Sequence, residues 1–199
     1  EFALALKITR AVKPDSSLNF HRTVAQLSGI PLFLRLIILT HVDDLNIERM
    51  LTTLRYLMLQ KAVAGKIKDN GLPFASALAL HCFTNEYVFA ETAEETLSVE
   101  HLEKKISEHV KMKQEVPSPL IVTLGAYRPL HKFDWAQGLT EHEWSKEVSA
   151  VIERQILEPF TELSLRPQFP CLTPVQDTVS KSVRDQYEEN PYPRWVKTG

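Results

Sequence analysis

Glycine is scarce in this sequence, with 6 residues among 199, and each of the six stands alone. No two glycines are separated by a single residue, so the chain lacks the glycine-rich turn between strand and helix that nucleotide-binding proteins use. Such turns need glycine because their backbone takes angles that other residues avoid. We therefore expect no phosphate-cradling loop of this kind in the sequence.

Cysteine is also scarce, with two residues, and the sequence has neither a long apolar run nor a large excess of either charge. The two cysteines, Cys82 and Cys171, lie far apart, as in proteins of a reducing compartment. The longest apolar run, Ile30 to Thr40, is interrupted by Arg35 and falls short of the roughly 18 residues of a membrane span. The formal net charge of -2 leaves no electrostatic footprint for nucleic acid. These features predict a cytoplasmic protein that binds neither membranes nor nucleic acid.

Apolar side chains make up 44% of the sequence and recur at helical spacing. A stripe from Ile47 to Ala62 alternates by three and four residues, which predicts a long helix that Asp43 or Asp44 caps and Gly65 ends. The run Leu120 to Tyr127 fits either a helix or a buried strand, and its helical surroundings favour the helix. The sequence therefore predicts an all-α fold, a compact multi-helix domain followed by an extended proline- and aromatic-rich C-terminal arm.

Two candidate capping boxes indicate where further helices begin. Thr92 with Glu95 predicts one start, for which Ser98 is the alternative. Thr140 with Glu143 is the better match to the pattern, and it predicts a second start.

The composition changes at Pro159, where four prolines begin to space out the chain, at positions 159, 167, 170 and 174. The residue before a proline is pushed away from helical angles, so we expect an extended segment there. Residues 1–158 are predicted to form a helical domain. Residues 159–199 are predicted to form a linker, a short helix from Thr178 to Tyr187 and an aromatic arm that leads to a catalytic domain outside the sequence. Because the sequence begins at Glu1 rather than Met, we expect it to be part of a longer protein.

Histidine and cysteine show no metal-ligand spacing along the chain. His81 and Cys82 are adjacent, so they face different sides of a helix, and a hydrolase built on this pair is a minor hypothesis. The sequence therefore predicts no catalytic, cofactor-binding or metal-ligating residue.

Two polar groups stand beside apolar helices and are candidate interaction or structural sites. The first is Asn85, Glu86 and Tyr87, and the second is Tyr127 with Arg128. Each group fits a helix end that satisfies unpaired backbone groups, and each also fits a buried polar network or a contact to a partner. Arg128 is expected to pair with a nearby carboxylate such as Glu86.

The C-terminal stretch carries the most specific pattern in the sequence. It combines two tyrosines, a tryptophan, two prolines and two arginines within sixteen residues, from Ser180 to Trp195. This composition is typical of a rigid, polyproline-like strap that docks on another surface. Its candidate interaction residues are Arg184, Tyr187, Glu188, Asn190, Pro191, Tyr192, Pro193, Arg194 and Trp195.

The stretch from Val183 to Trp195 resembles a signature of bacterial multidomain methyltransferases. In that family it lies just before a class I S-adenosylmethionine-dependent methyltransferase domain, often with tetratricopeptide repeats further upstream. Other matching pieces are Cys82 to Phe89, Ala126 to Leu130, and Glu158-Pro159 with Glu162. The resemblance spans roughly Leu32 to Trp195.

The resemblance implies a non-catalytic helical region that serves substrate or partner recognition and domain organisation in a methyltransferase. S-adenosylmethionine is then the cofactor of the parent chain, and none is expected in this segment. The implied partners are the chain's own catalytic domain and a protein substrate, since some similar enzymes methylate protein lysines. An exposed arm would also allow a homodimer. The alternative is a stand-alone helical protein-interaction module that behaves like a tetratricopeptide domain and has no enzymatic activity, although the sequence shows no 34-residue period.

Overall fold

Apolar residues at helical spacing produce helices throughout the computed structural model, which describes residues 19–168 and 177–189. Those two ranges contain no strand, which confirms the all-α prediction for them. The α-helices are α1 (Phe20–Ser28), α2 (Pro31–Leu39), α3 (Leu45–Val63), α4 (Leu72–Thr84), α5 (Ala93–Lys111), α6 (Ser118–Gly125), α7 (Lys146–Ile152), α8 (Glu158–Leu165) and α9 (Thr178–Glu189). Shorter 3-10 turns span Asp69–Gly71, Leu130–Lys132, Ala136–Glu141 and Arg166–Gln168, and a π-helix spans Glu153–Leu157.

Helix α4 is the centre of the helical body. Every residue from Phe74 to Thr84 is buried, so this helix is covered on all sides rather than along one stripe. It packs against α2, α6 and α7, and α6 is itself buried from Pro119 to Gly125. The polar side chains described below lie around these two helices.

The caps that the sequence predicts for α3 and α5 are confirmed. The Asp44 carboxylate accepts hydrogen bonds from the backbone N–H groups of Asn46 and Ile47, at 2.8 and 3.1 Å. Thr92 and Glu95 form the reciprocal capping box, with distances of 3.2 Å to the threonine hydroxyl and 2.9 Å to the glutamate oxygen. Ser98, the alternative start, lies inside α5. The ambiguous run after Pro117 is a helix, α6.

The capping box predicted at Thr140 is wrong. Thr140 lies inside the 3-10 turn Ala136–Glu141, and α7 begins only at Lys146. The indole N–H of Trp144 donates a hydrogen bond of 2.7 Å to the Leu139 carbonyl, which holds the chain in a loop where the helix was expected to start. A competing side-chain contact within the same segment therefore overrides the capping pattern.

The extended segment predicted from Pro159 is also wrong as far as Gln168. The π-helix runs directly into α8, and Pro159 occupies its first turn with a buried side chain. Proline lacks the N–H that would bond the carbonyl of Gln155 four residues earlier. That carbonyl instead accepts a hydrogen bond of 3.2 Å from His131 Nδ1. Helix continues across the boundary expected after residue 158. The division of the chain into a domain of residues 1–158 and a linker and arm of residues 159–199 stays a prediction.

The helix predicted near the C-terminus is confirmed as α9, although it extends to Glu189 rather than to Tyr187. The aromatic arm after it lies outside the described residues. In the ranges 19–168 and 177–189 no single helix has the length and hydropathy of a membrane span. The pair α1 and α2 meets that criterion only when the two are taken together, and they are bent by 87°.

The two threonines offer a direct test of the observed caps. Thr92→Ala should lower the free energy of unfolding by about 1 kcal/mol, because it removes the side-chain acceptor at the start of α5. Thr140→Ala should change it by less than about 0.5 kcal/mol, because its hydroxyl only donates to Gln137 within an exposed turn. Urea unfolding monitored by circular dichroism measures both values. Equal losses in the two variants would contradict the observed helix starts.

Candidate functional site

The most polar part of the core is a buried arginine cluster, formed by Arg55, Cys82, Phe89, Glu95 and Tyr127. Arg55 and Tyr127 are each 1% exposed, and Glu95 is 4% exposed. The sequence prediction missed Arg55 even though Arg55 stands four residues after Leu51 and three before Met58. That spacing places Arg55 on the buried face of α3, so the helical register of the sequence already indicates that its side chain is buried.

Within the cluster the Arg55 guanidinium is held by one carbonyl, one carboxylate and two aromatic rings. Its Nη2 donates a hydrogen bond of 2.6 Å to the Ala90 carbonyl and lies 3.9 Å from Glu95 Oε1. The guanidinium carbon lies 4.3 Å from the ring centre of Tyr127 and 5.4 Å from that of Phe89. Both distances are in the range of cation–π contacts.

Glu95 makes three contacts, because it caps α5, faces Arg55 and accepts a hydrogen bond of 2.7 Å from the Tyr127 hydroxyl. Burial above all raises the pKa of Tyr127, so the phenol keeps its proton and acts as the donor. The carboxylate thus joins the start of α5 to the end of α6 and balances the charge on α3.

Cys82 is fully buried against the same guanidinium. Burial raises the pKa of its thiol to about 12, although the charge and hydrogen bond of Arg55 act in the opposite direction. The thiolate is the nucleophilic form of cysteine, and at neutral pH this group is a thiol. The geometry therefore gives no support to a hydrolase that would use Cys82 with His81.

Arg128 pairs with Glu91, not with Glu86 as the sequence suggested. Its two terminal nitrogens donate hydrogen bonds of 2.7 Å each to the two oxygens of Glu91, and Thr96 donates a further one of 2.8 Å. The hydrogen bond from Arg128 is the main cause of a lowered pKa at Glu91. This bidentate pair fastens the segment before α5 to the end of α6.

The group Asn85, Glu86 and Tyr87 forms the C-terminal end of α4. Glu86 and Tyr87 have φ angles of 51° and 56°, in the left-handed region that non-glycine residues seldom adopt. The backbone N–H of Tyr87 bonds the Cys82 carbonyl at 2.9 Å, and its hydroxyl donates to the Gly125 carbonyl at 3.2 Å. The structure therefore combines two of the predicted readings, a helix end and a buried polar network.

A chain of hydrogen bonds crosses from α2 to this helix end through His81. His81 Nδ1 donates at 2.6 Å to the carbonyl of Ile37, which lies in the last turn of α2 where carbonyls lack a helical partner. The Asn85 amide donates to His81 Nε2 at 3.1 Å, and its oxygen is hydrogen-bonded to His41 Nδ1. Burial lowers the pKa of His81, so the neutral ring is the favoured form.

The π-helix carries a second buried amide, Gln155. Its Nε2 donates hydrogen bonds of 3.0 Å to the carbonyls of Ala79 and Gly125. A Cβ atom on Gly125 would lie 3.2 Å from Gln155 Oε1, so glycine allows this close approach. Gln155 thereby ties the π-helix to both central helices.

A groove runs along the outer side of the π-helix. Its volume is about 170 Å³, and its floor is mainly apolar. The residues that line it are Ile38, Leu39, Leu80, Thr84, Ala150, Glu153, Arg154 and Glu158. We refer to it as the π-helix groove.

The remaining candidate residues lie at the C-terminus. Arg184, Tyr187 and Glu188 belong to α9. Asn190, Pro191, Tyr192, Pro193, Arg194 and Trp195 lie outside the described residues, so their role as an interaction motif stays a prediction.

S-adenosylmethionine, the cofactor implied for the parent chain, does not fit the part of the chain that the structure describes. A class I site uses a glycine turn that follows a strand, and residues 19–168 and 177–189 contain no strand. Among the same residues no three His, Cys, Asp or Glu side chains form a group that could hold a metal ion.

The fold and these clusters define an all-α protein whose buried polar side chains fasten its helices to one another. A comparison of the chain with protein-family models, curated proteins and solved structures finds no match in any of the three. Functional inference therefore starts from the residues themselves.

The hydrogen-bonded histidine predicts a pH dependence of stability. The pKa of His81 is lowered in the folded protein, so the unfolded chain takes up the proton more readily. The neutral His81 ring contributes its full stabilisation at pH values above the ordinary histidine pKa of 6.5. That contribution is lost as the pH falls toward the lower pKa of His81 in the folded protein. The free energy of unfolding should therefore decrease between pH 7.5 and about pH 5.5, as measured by urea unfolding.

His81→Gln should flatten that decrease, because glutamine does not titrate. The exposed His101→Gln variant is the matched control and should keep the wild-type slope. An unchanged slope in His81→Gln would show that another group governs the effect.

Proposed function

We propose that this chain is the non-catalytic helical region of a bacterial class I S-adenosylmethionine-dependent methyltransferase. In this proposal it organises the catalytic domain and recognises a substrate or partner. The signature from Val183 to Trp195 supports the assignment, because in the family that it resembles the catalytic domain follows directly. The protein is expected to act in the cytoplasm.

The distribution of exposed apolar side chains is the structural observation behind this proposal. The described residues include ten large apolar side chains that are exposed, and five of them lie between Leu157 and Val183, where the signature begins. These five are Leu157, Leu163, Leu165, Val179 and Val183. Val179 and Val183 stand four residues apart and so share one face of α9.

Exposed large apolar side chains are typical of a region that packs against another domain or protein. Their position before and at the start of the signature supports a contact with the catalytic domain. We call these five residues the C-terminal apolar surface.

The buried polar side chains contact one another and the carbonyls of neighbouring helices, which supports a non-catalytic role. Arg55, Glu95 and Tyr127 contact one another, and Gln155 bonds two helix carbonyls. Side chains engaged in this way hold helices in place and do not face a substrate. Because similar enzymes methylate lysines on proteins, we include a protein as the methyl acceptor in the proposal.

A second candidate function is a stand-alone helical module that binds protein partners. The π-helix groove favours it, because π-helical turns occur frequently at functional sites and the floor of this groove is apolar. The helices of the described ranges vary from 7 to 19 residues. Such a module would therefore resemble a tetratricopeptide domain in binding protein partners, and not in having a repeated pair of helices.

Calorimetry with S-adenosylmethionine distinguishes the two candidates. The reading frame that continues past Gly199 should encode a strand followed by a glycine-rich turn, and its longer product should bind the cofactor. The 199-residue chain alone should not bind it. Micromolar binding of S-adenosylmethionine by the 199-residue chain alone would contradict the proposal that the cofactor binds to a separate catalytic domain. A reading frame without such a domain would favour the stand-alone module.

Charged substitutions in the longer product test the C-terminal apolar surface. Leu163→Glu and Val183→Glu should each lower the free energy of domain docking by about 2 kcal/mol, because each removes an apolar contact. Thermal unfolding of the two domains would then separate into two transitions. Leu97→Glu is the control, since Leu97 is 66% exposed on α5 and outside this surface. An equal effect in the control would contradict the assigned interface.

A further inference from the structure

A group of cationic side chains that form no ion pair with another described residue lies where α1 meets the segment after α3. It consists of Arg22 on α1, Lys61 near the end of α3, and Lys66 and Lys68 in the segment that follows. The ion pairs between described residues are Arg55–Glu95, Arg128–Glu91 and Arg154–Glu158. None of these pairs includes a member of the group.

Two of these cations, Arg22 and Lys68, line an open cleft of about 720 Å³ between α1 and the 3-10 turn Asp69–Gly71. The polar side chains that line it are Asn19, His21, Arg22, Gln26, Lys68 and Asn70. The cleft thus combines a guanidinium, an ammonium, an imidazole and three amides. It contrasts with the π-helix groove, whose floor is apolar.

The two walls of the cleft are held in a fixed relation. Gly71 packs so closely on α1 that a Cβ atom there would lie 2.6 Å from Val24 Cγ2. On the other wall, Asn19 caps α1 and accepts a hydrogen bond of 3.2 Å from the backbone N–H of Arg22. The backbones that carry Lys68 and Arg22 are therefore positioned before any ligand arrives, which lowers the entropic cost of binding.

His21 lines the cleft close to two of the lysines, Lys61 and Lys68, and a hydrogen bond with the Lys66 backbone acts against their effect on its pKa. Burial lowers the pKa of this histidine, and the charges of Lys68 and Lys61 lower it further. Its Nδ1 is shielded from solvent and has no hydrogen-bond partner among the described residues. Asp69 is the acidic residue of the adjoining turn, and no acidic side chain lines the cleft itself among the described residues.

We propose that this cleft binds a small phosphate-bearing ligand, with Arg22 and Lys68 contacting the phosphate oxygens. A guanidinium donates two parallel hydrogen bonds to a phosphate, and an ammonium adds a compact positive charge. The amides of Gln26 and Asn70 are donors for the remaining oxygens. This site is independent of the proposed methyltransferase role, because none of its residues belongs to the C-terminal apolar surface.

Titration of inorganic pyrophosphate into the 199-residue chain at low salt tests the site. Isothermal calorimetry should show saturable binding with one site per chain. Arg22→Gln and Lys68→Gln should each weaken binding by about tenfold or more, since each removes a charge-assisted hydrogen bond. Lys104→Gln, an exposed lysine on α5, is the matched control and should bind as the wild type does.

Circular dichroism establishes that each variant is folded, and all three substitutions fall on exposed positions. The absence of saturable binding would overturn the proposal, as would an equal loss in Lys104→Gln. Binding to phosphatidylglycerol vesicles without binding to pyrophosphate would also overturn it, because it would assign the cations to a membrane surface.

Discussion

The burial of a single positive charge, on Arg55, sets the arrangement of the polar core. A guanidinium that is 1% exposed has lost its water and needs compensation from the protein. The Ala90 carbonyl, the Glu95 carboxylate and the rings of Tyr127 and Phe89 supply that compensation. Because they come from separate parts of the chain, the charge is balanced only when α3, α5, α6 and the segment before α5 have assembled.

The other polar contacts extend this arrangement toward the C-terminal end of the fold. Arg128 and Glu91 fasten the same segment a second time, and Gln155 joins the π-helix to the central helices. The exposed apolar residues of α8 and α9 take no part in these internal contacts, and they are the ones that the proposal assigns to a contact with another domain. The proposed role in a methyltransferase therefore rests on the outside of the molecule, while its core has a structural role.

The sequence was informative where backbone capping alone decides the structure and misleading where another side chain competes with that pattern. Asp44 marks the start of α3 correctly, because a cap needs only the next three residues. Thr140 has an equally good local pattern, yet Trp144 holds that segment in a loop. Pro159 is accommodated in the first turn of α8, and the Gln155 carbonyl, four residues before it, accepts a hydrogen bond from His131. The same limit applies to Arg55, whose helical register indicates burial but does not identify its partners.

A double-mutant cycle on Arg55 and Glu95 tests the central claim most directly. Arg55→Met and Glu95→Gln should each lower the free energy of unfolding by about 3 kcal/mol, because each leaves the other group buried without its partner. The double variant should lose about 1 to 3 kcal/mol less than the sum of the two single losses. Urea unfolding of the four proteins provides these values. Additive losses would contradict the account, because they would show that the two side chains do not stabilise each other.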